Sequence, residues 1–164
     1  LTCINSLLLP KIYLALFSEV SMKYLKLPAG FMFGGTLYVL IEILWRGYSH
    51  YSMFIAGGLG FLLFMAVNRH LVKKTGYLFS AVICAIGITA IEFVLGCIFN
   101  IWLGLNIWDY SNIPLNFMGQ ICELYSTIWI FVSLAGLKLE SYLSSKTNTL
   151  FGKISLSRNN YTFK

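Results

Sequence analysis

Acidic side chains that interrupt long apolar runs are the groups in this sequence with chemistry to do. Glu42 lies near the end of one run, Glu92 in the second half of another, and Glu123 at the opening of a third. An acidic side chain at the centre of a bilayer costs about 3 kcal/mol on insertion-based scales, so such groups turn inward and find partners. Helical spacing suggests those partners. Gly34, Tyr38, Glu42 and Arg46 recur every four residues on one face, with Glu42 ahead of Arg46 at the favourable ion-pair spacing. Ala85, Thr89, Glu92, Gly96 and Asn100 form a second stripe, and Gly119, Cys122, Ser126, Ser133 and Gly136 a third. Small residues let helix backbones approach closely, which makes these stripes the expected helix contacts.

The stretch between Asn100 and Gln120 adds Trp108, Asp109, Tyr110 and Ser111, then Asn116 and Gly119. Trp and Tyr suit a membrane interface, where an apolar ring and a polar edge are both accommodated. Asp109 and Asn116 suit turns or the polar cluster itself. Two readings fit the whole set. In one, Tyr38, Glu42, Arg46, Glu92, Trp108, Asp109, Tyr110, Asn116, Gln120 and Glu123 form a site for a solute or ion, linked to protonation because burial favours a neutral carboxyl. In the other, the same residues are structural pairs that fix the packing of a small bundle. Catalysis has less to draw on, since no nucleophile stands beside a base and the two histidines, His50 and His70, fall on opposite sides of the arrangement below. Cys3, Cys84, Cys97 and Cys122 lack the spacing of a zinc or redox motif and read as small packing residues. No metal site and no cofactor are expected.

The elements that must position these residues follow from hydropathy. Hydrophobic residues make up 58% of the 164 and charged ones 11%, too little polar surface for a water-soluble fold of this length. The mean hydropathy of +0.76 is carried by unbroken runs, without the alternation of a strand barrel. Runs at 28–45, 52–67, 77–99 and about 121–137 predict an all-α integral membrane bundle of about four transmembrane helices in a cell membrane. Basic loops stay on the cytoplasmic side. Lys11, Lys23 and Lys26 precede the first run; Arg69, His70, Lys73 and Lys74 join the second to the third; Lys138, Lys146, Lys153, Arg158 and Lys164 follow the fourth. All fall on one side of a four-span arrangement, so both ends are expected inside. Three segments result: 1–27 as an N-terminal stretch, 28–139 as the bundle and 140–164 as a basic cytoplasmic tail. Pro10, Lys11 and Glu19 interrupt the apolar stretch before Met22, which suggests an interfacial helix or an upstream extension with Met22 as the start. The net charge of +6 sits in clusters beside apolar runs, where it orients helices and meets anionic headgroups; nucleic acid is not an expected partner.

Gly35-Thr36-Leu37-Tyr38, Glu42, Trp45-Arg46-Gly47, Ser49-His50, Ser52-Met53 and Gly57-Gly58, followed by Thr89-Ala90-Ile91-Glu92-Phe93, Trp108-Asp109-Tyr110-Ser111, Pro114, Asn116 and Gly119-Gln120-Ile121-Cys122, stand out in that order. Over about residues 24 to 140 the chain resembles the ABC-transporter type IV permease family of small bacterial membrane proteins. The resemblance implies a permease or transporter subunit in the bilayer. No Walker A loop occurs in the sequence, so ATP hydrolysis by that route would fall to a separate ATPase subunit. Four helices make a thin wall around a path, which adds a homo-oligomer as an expected state. A membrane scaffold or accessory protein, and an intramembrane enzyme acting on a lipid-like substrate, are the alternative readings.

Overall fold

The computed structural model describes residues 25–161, with side chains to residue 149. The 1–21 segment and its proposed start at Met22 lie outside the described residues. Helix α1 spans Leu25–Arg46. It closes where the Gly47 N–H donates to the Ile43 carbonyl over 2.9 Å. Helix α2, Tyr51–Val67, starts at His50, whose Nδ1 accepts from the Ser52 N–H and so satisfies one of the free amides of the first turn. A π-helical turn, Asn68–Val72, leads into α3, Lys73–Gly96, and a second π turn, Cys97–Trp102, extends α3. Helix α4 runs from Glu123 to Tyr161. A two-residue ladder, β1 (Asn116–Phe117) against β2 (Ile121–Cys122), lies just before it, with Asn116 opposite Cys122. The described chain is therefore predominantly helical, as expected. The last helix continues well past the apolar run at 121–137, because polar residues do not by themselves stop a helix and this stretch contains no proline.

Continuous helical assignment from Tyr51 to Trp102 covers 52 residues, yet the chain cannot run straight through it. Gly76 takes φ 78 and ψ 172, a left-handed conformation that a side chain disfavours, and reverses the chain there. Contacts on either side establish the reversal. Leu63 of α2 lies over Gly87 of α3, and Gly60 faces Ile88, so the two helices are antiparallel. In α1, Gly30 faces Met65, Gly34 faces Phe61, and Tyr38 faces Gly57 of α2, again antiparallel. Helix α4 closes the arrangement. Phe64 packs on Gly136, while Tyr77 Oη and Ser141 Oγ lie 2.9 Å apart and Thr89 donates to Ser126 over 3.2 Å. Helix α4 thus runs parallel to α2 and antiparallel to α3. Lys26 Nζ donates to Asn148 Oδ1 over 3.0 Å, tying the start of α1 to α4.

The core between the helices holds Phe61, Phe64 and Val67 of α2, Ala81 and Cys84 of α3, and Leu137 of α4. At the end near Gly76, Asn68 of the first π turn donates to Glu140 and to Ser141, so the one buried carboxylate of α4 has a partner across the bundle. The α1–α2 crossing is set by glycine. A Cβ on Gly57 would strike the Tyr38 Cβ and the Gly34 carbonyl, which belongs to backbone and cannot swing aside. Gly57→Ala is expected to force the helices apart and cost about 1–3 kcal/mol, the range of overpacking changes. Gly60→Ala, whose new atom would meet only Ile88 Cγ1 at 4.0 Å, should be close to neutral. Thermal unfolding of the two variants in the same detergent checks the contrast.

Candidate functional site

The end of the bundle away from Gly76 collects the end of α1, the start of α2, the second π turn, the loop after it and the start of α4. Glu42 and Arg46, one turn apart on α1, form an ion pair with 2.6 Å between Nη2 and Oε1. Ser49, in the link to α2, donates to the other Glu42 oxygen over 2.5 Å, and Arg46 Nη1 reaches the Ile107 carbonyl over 3.4 Å. The guanidinium also lies over the Tyr48 ring, 4.7 Å from its centroid. Its Nε is buried and has no hydrogen-bond partner, and Nη2 meets Glu42 by proximity alone, off the hydrogen-bond direction.

Glu92, three residues past Thr89 on α3, receives two neutral donors. Tyr110 Oη, from the loop, donates to Oε1 over 2.9 Å, and Trp129 Nε1, from α4, donates to Oε2 over 3.0 Å. Aromatic rings close around it. Tyr110 stacks on Tyr125 with centroids 4.7 Å apart and planes 18° from parallel, and Tyr38 packs against Trp129 at 6.2 Å. Tyr38 therefore stands on α1 one turn before Glu42 and against the Trp129 ring that donates to Glu92. Burial first, then the Glu92 charge, pushes the Tyr110 phenol well above its usual range, so it remains a donor at neutral pH.

Asn100 explains why the loop carries Tyr110 to that position. It lies buried in the second π turn, accepts from the Ile107 N–H over 2.7 Å and donates to the Trp108 carbonyl and to Gln120 Oε1 over 2.9 and 2.8 Å. Trp108 Nε1 donates to the Gln120 carbonyl over 3.0 Å, and Gln120 Nε2 to the Met118 carbonyl over 3.1 Å. Asn116 Oδ1 accepts from the Gly119 N–H while its amide donates to Ile113, and the Tyr110 N–H donates to Gly119. Asp109 is exposed and takes the Ser111 N–H at 2.8 Å and the Ser111 hydroxyl at 2.6 Å. Those two bonds, the hydroxyl first, hold its carboxyl below the usual carboxylate range.

The ten residues singled out by sequence therefore fall into three groups. Tyr38, Glu42, Arg46, Glu92 and Tyr110 make one polar patch. Trp108, Asp109, Asn116 and Gln120 fold the loop that delivers Tyr110, and Glu123 is exposed in the first turn of α4, where a carboxylate meets the positive end of the helix. Sequence reasoning left out Ser49, Tyr125 and Trp129. Trp129 was findable, since it stands three residues after Ser126 and four before Ser133 on the polar stripe of α4. No group of His, Cys, Asp and Glu able to hold a metal ion occurs among the described residues.

A helical bundle with two runs long and apolar enough to cross a membrane, and with a polar patch gathered at one end, defines the class. The family model described as Putative ABC-transporter type IV matches residues 29–158, and the chain belongs to that family. No curated protein and no solved structure matches the chain.

Replacing Asn100 with Leu would leave the Ile107 N–H and two acceptors without their partner. Stability should fall by about 2–4 kcal/mol, given about 1–3 kcal/mol for each buried unsatisfied group. Limited proteolysis should then cut within 103–119 sooner than in the parent. The Asp109 turn should respond to acid. Because its folded-state pKa is lowered, its contribution is complete above the ordinary carboxylate pKa of about 3.9 and fades as pH falls through the lower folded value. Trp108 fluorescence followed through acid titration should show that loosening, and Asp109→Asn should remove the pH dependence.

Proposed function

We propose that the chain crosses the membrane four times, with both ends cytoplasmic, and acts as the membrane component of a transporter whose solute or ion site is the polar patch at the outer end. The observation that carries this is Glu92, a carboxylate on an apolar helix held by donors from two other elements beside the Glu42–Arg46 pair. An intramembrane ionisable group with named partners is a functional site by default, because the bilayer penalises it otherwise.

Several features support the membrane arrangement. Only 17% of the most apolar stretch of Leu25–Arg46, and 28% of that in Tyr51–Trp102, is buried, whereas a core helix of a soluble protein would be mostly buried. Large apolar side chains such as Leu44, Trp45, Trp102 and Phe131 face outward. The reversal at Gly76 divides a 52-residue run, about 78 Å at 1.5 Å per residue, into two pieces that each match the hydrocarbon thickness of about 30 Å with some tilt. Charge then sets the direction. Lys26, Arg69, Lys73, Lys74, Lys138 and Lys146 belong to the Gly76 end of the helices, while Arg46 stands at the other.

Membership of an ABC-transporter family supports a separate ATPase subunit as partner, engaged at the basic end. A purely structural role is the second reading, favoured by Asn100 and Gln120, whose hydrogen bonds run to each other and to the loop. Cysteines introduced at Ser49 and Ser111 should react with an impermeant thiol reagent from outside, and one at Thr75 only after permeabilisation; labelling of all three from one side would end the four-span arrangement. The site is tested by Glu92→Gln. A screen of water-soluble solutes against the purified chain should find at least one that raises the melting temperature of the parent and not of the variant, with equal unliganded melting. A variant that melts early, with no solute effect on either protein, would leave only the structural role.

A further inference from the structure

The hairpin formed by β1 and β2 turns on residues that a turn in water avoids. Leu115 and Met118 take φ 53 and φ 54, left-handed values that disfavour bulky side chains and that aqueous turns give to Gly, Asn or Asp. The same stretch holds its large apolar groups outward: Leu115 is 74% exposed, Phe117 58% and Met118 59%. No charged residue occurs between Asp109 and Glu123. Its backbone is satisfied by the chain itself. The Leu115 carbonyl accepts from the Glu123 N–H, Phe117 from the Gln120 N–H, Met118 from Gln120 Nε2 and Gly119 from the Tyr110 N–H. Asn116 donates to the Ser111 and Ile113 carbonyls and accepts from the Gly119 N–H. Internal satisfaction of this kind is what irregular backbone needs where water is absent.

Contacts fix the level of the hairpin along the bundle. Phe117 packs on Phe93 with ring centroids 5.4 Å apart, and Gln120 lies against Gly96. The chain has therefore folded back beside α3, at least about 9 Å from the end of its π extension at Trp102. Counting about 20 residues from Tyr77, just after the basic link, puts the outer edge of a hydrocarbon layer of about 30 Å near Cys97. The hairpin falls just inside that edge. Helix α4 meanwhile offers only about 15 residues, or about 22 Å, between its exposed charges Glu123 and Lys138, which is short of a crossing. Glu123, where hairpin and helix join, keeps this level close to the headgroups, since a carboxylate is costly deeper in the leaflet.

We propose that the hairpin is a membrane-inserted element, with Leu115, Phe117 and Met118 entering the hydrocarbon of the outer leaflet beside α3 and completing the crossing that α4 alone leaves short. The partner of this surface is lipid. Exposed Val94 on α3 and Leu124 on α4, its neighbours in the chain, continue the same apolar surface onto the helices. The inference rests on the four-span arrangement proposed above.

Photolabelling of the unmodified chain in phosphatidylcholine nanodiscs tests it, with one diazirine carried on a lipid acyl chain and another on a small water-soluble reagent. Phe131, outward on α4, is the lipid-facing reference, and the exposed Asp109 turn the water-facing one. The lipid probe should label residues 115–118 as heavily as Phe131 and above 109–111, and the water probe should reverse that order. Leu115→Asn gives a second readout. Asn suits the backbone at φ 53 better than Leu does, so in water the variant would melt higher than the parent, whereas an amide placed in hydrocarbon should make it melt lower. A higher melting temperature in nanodiscs would overturn the inference. Labelling of 115–118 by the water probe, with Phe131 still labelled from lipid, would also overturn it and leave the four spans standing. Protection from both probes would mean that a second copy covers the hairpin, and would overturn it equally. Loss of lipid labelling at Phe131 as well would remove the membrane arrangement itself.

Discussion

A carboxylate buried among apolar helices needs donors that the chain itself supplies, because an apolar core offers it no hydrogen bonds. Glu92 is the most demanding such group at the end away from Gly76. Its two donors come from a loop and from the second turn of α4, so three elements have to arrive at the same place for one carboxylate to be accommodated. The loop from Leu103 to Gln120 is folded around this need. Asn100 and Gln120 set its two ends, Trp108 bridges them, and Asn116 with Gly119 turns the chain so that Tyr110 points back at α3.

The two ends of the bundle solve the same problem differently. At the end away from Gly76, aromatic donors hold Glu92 while Arg46 pairs with Glu42. At the other end, Glu140 is buried between helices and accepts from the Asn68 amide, which also bonds Ser141, whose hydroxyl lies 2.9 Å from that of Tyr77. Between them lies a dry layer of Phe61, Phe64, Cys84 and Leu137, closed by glycine contacts that bring α1 onto α2 and α2 onto α4. Polar ends and an apolar waist follow from where glycine and carboxylate fall along each helix.

Much of this was legible in the sequence, for identifiable reasons. Unbroken apolar runs marked the helices, since length and composition alone decide whether a segment suits a bilayer. The Glu42–Arg46 spacing predicted an ion pair that forms as expected. The stripe of Thr89, Glu92 and Asn100 faces inward, with Thr89 reaching Ser126 of the α4 stripe. What escaped depended on chain reversal or on mixed character. Trp129 and Tyr125 went unnamed, because an aromatic in an apolar run shows that its polar edge is in use only when its place on the polar stripe of α4 is followed. Glu140 fell in what looked like a solvated tail, and its partner Asn68 in a basic link, yet the reversal at Gly76 and the continuation of α4 bring them together. Trp108, Asn116 and Gln120 were noticed for their residue types, which are the same whether a side chain contacts a ligand or folds a loop.

Both asparagines at the centre of these clusters belong to π turns, Asn68 to the first and Asn100 to the second. A π turn closes i to i+5, as the Leu103 N–H does on the Ile98 carbonyl over 3.0 Å, and so holds one residue more than an α turn. One extra residue rotates everything beyond it by about 100° about the helix axis. Length in these two stretches is accordingly under tighter constraint than residue identity: losing any single position from 97–102 would restore the α repeat and turn the following loop away from α3, however conservative the remaining side chains.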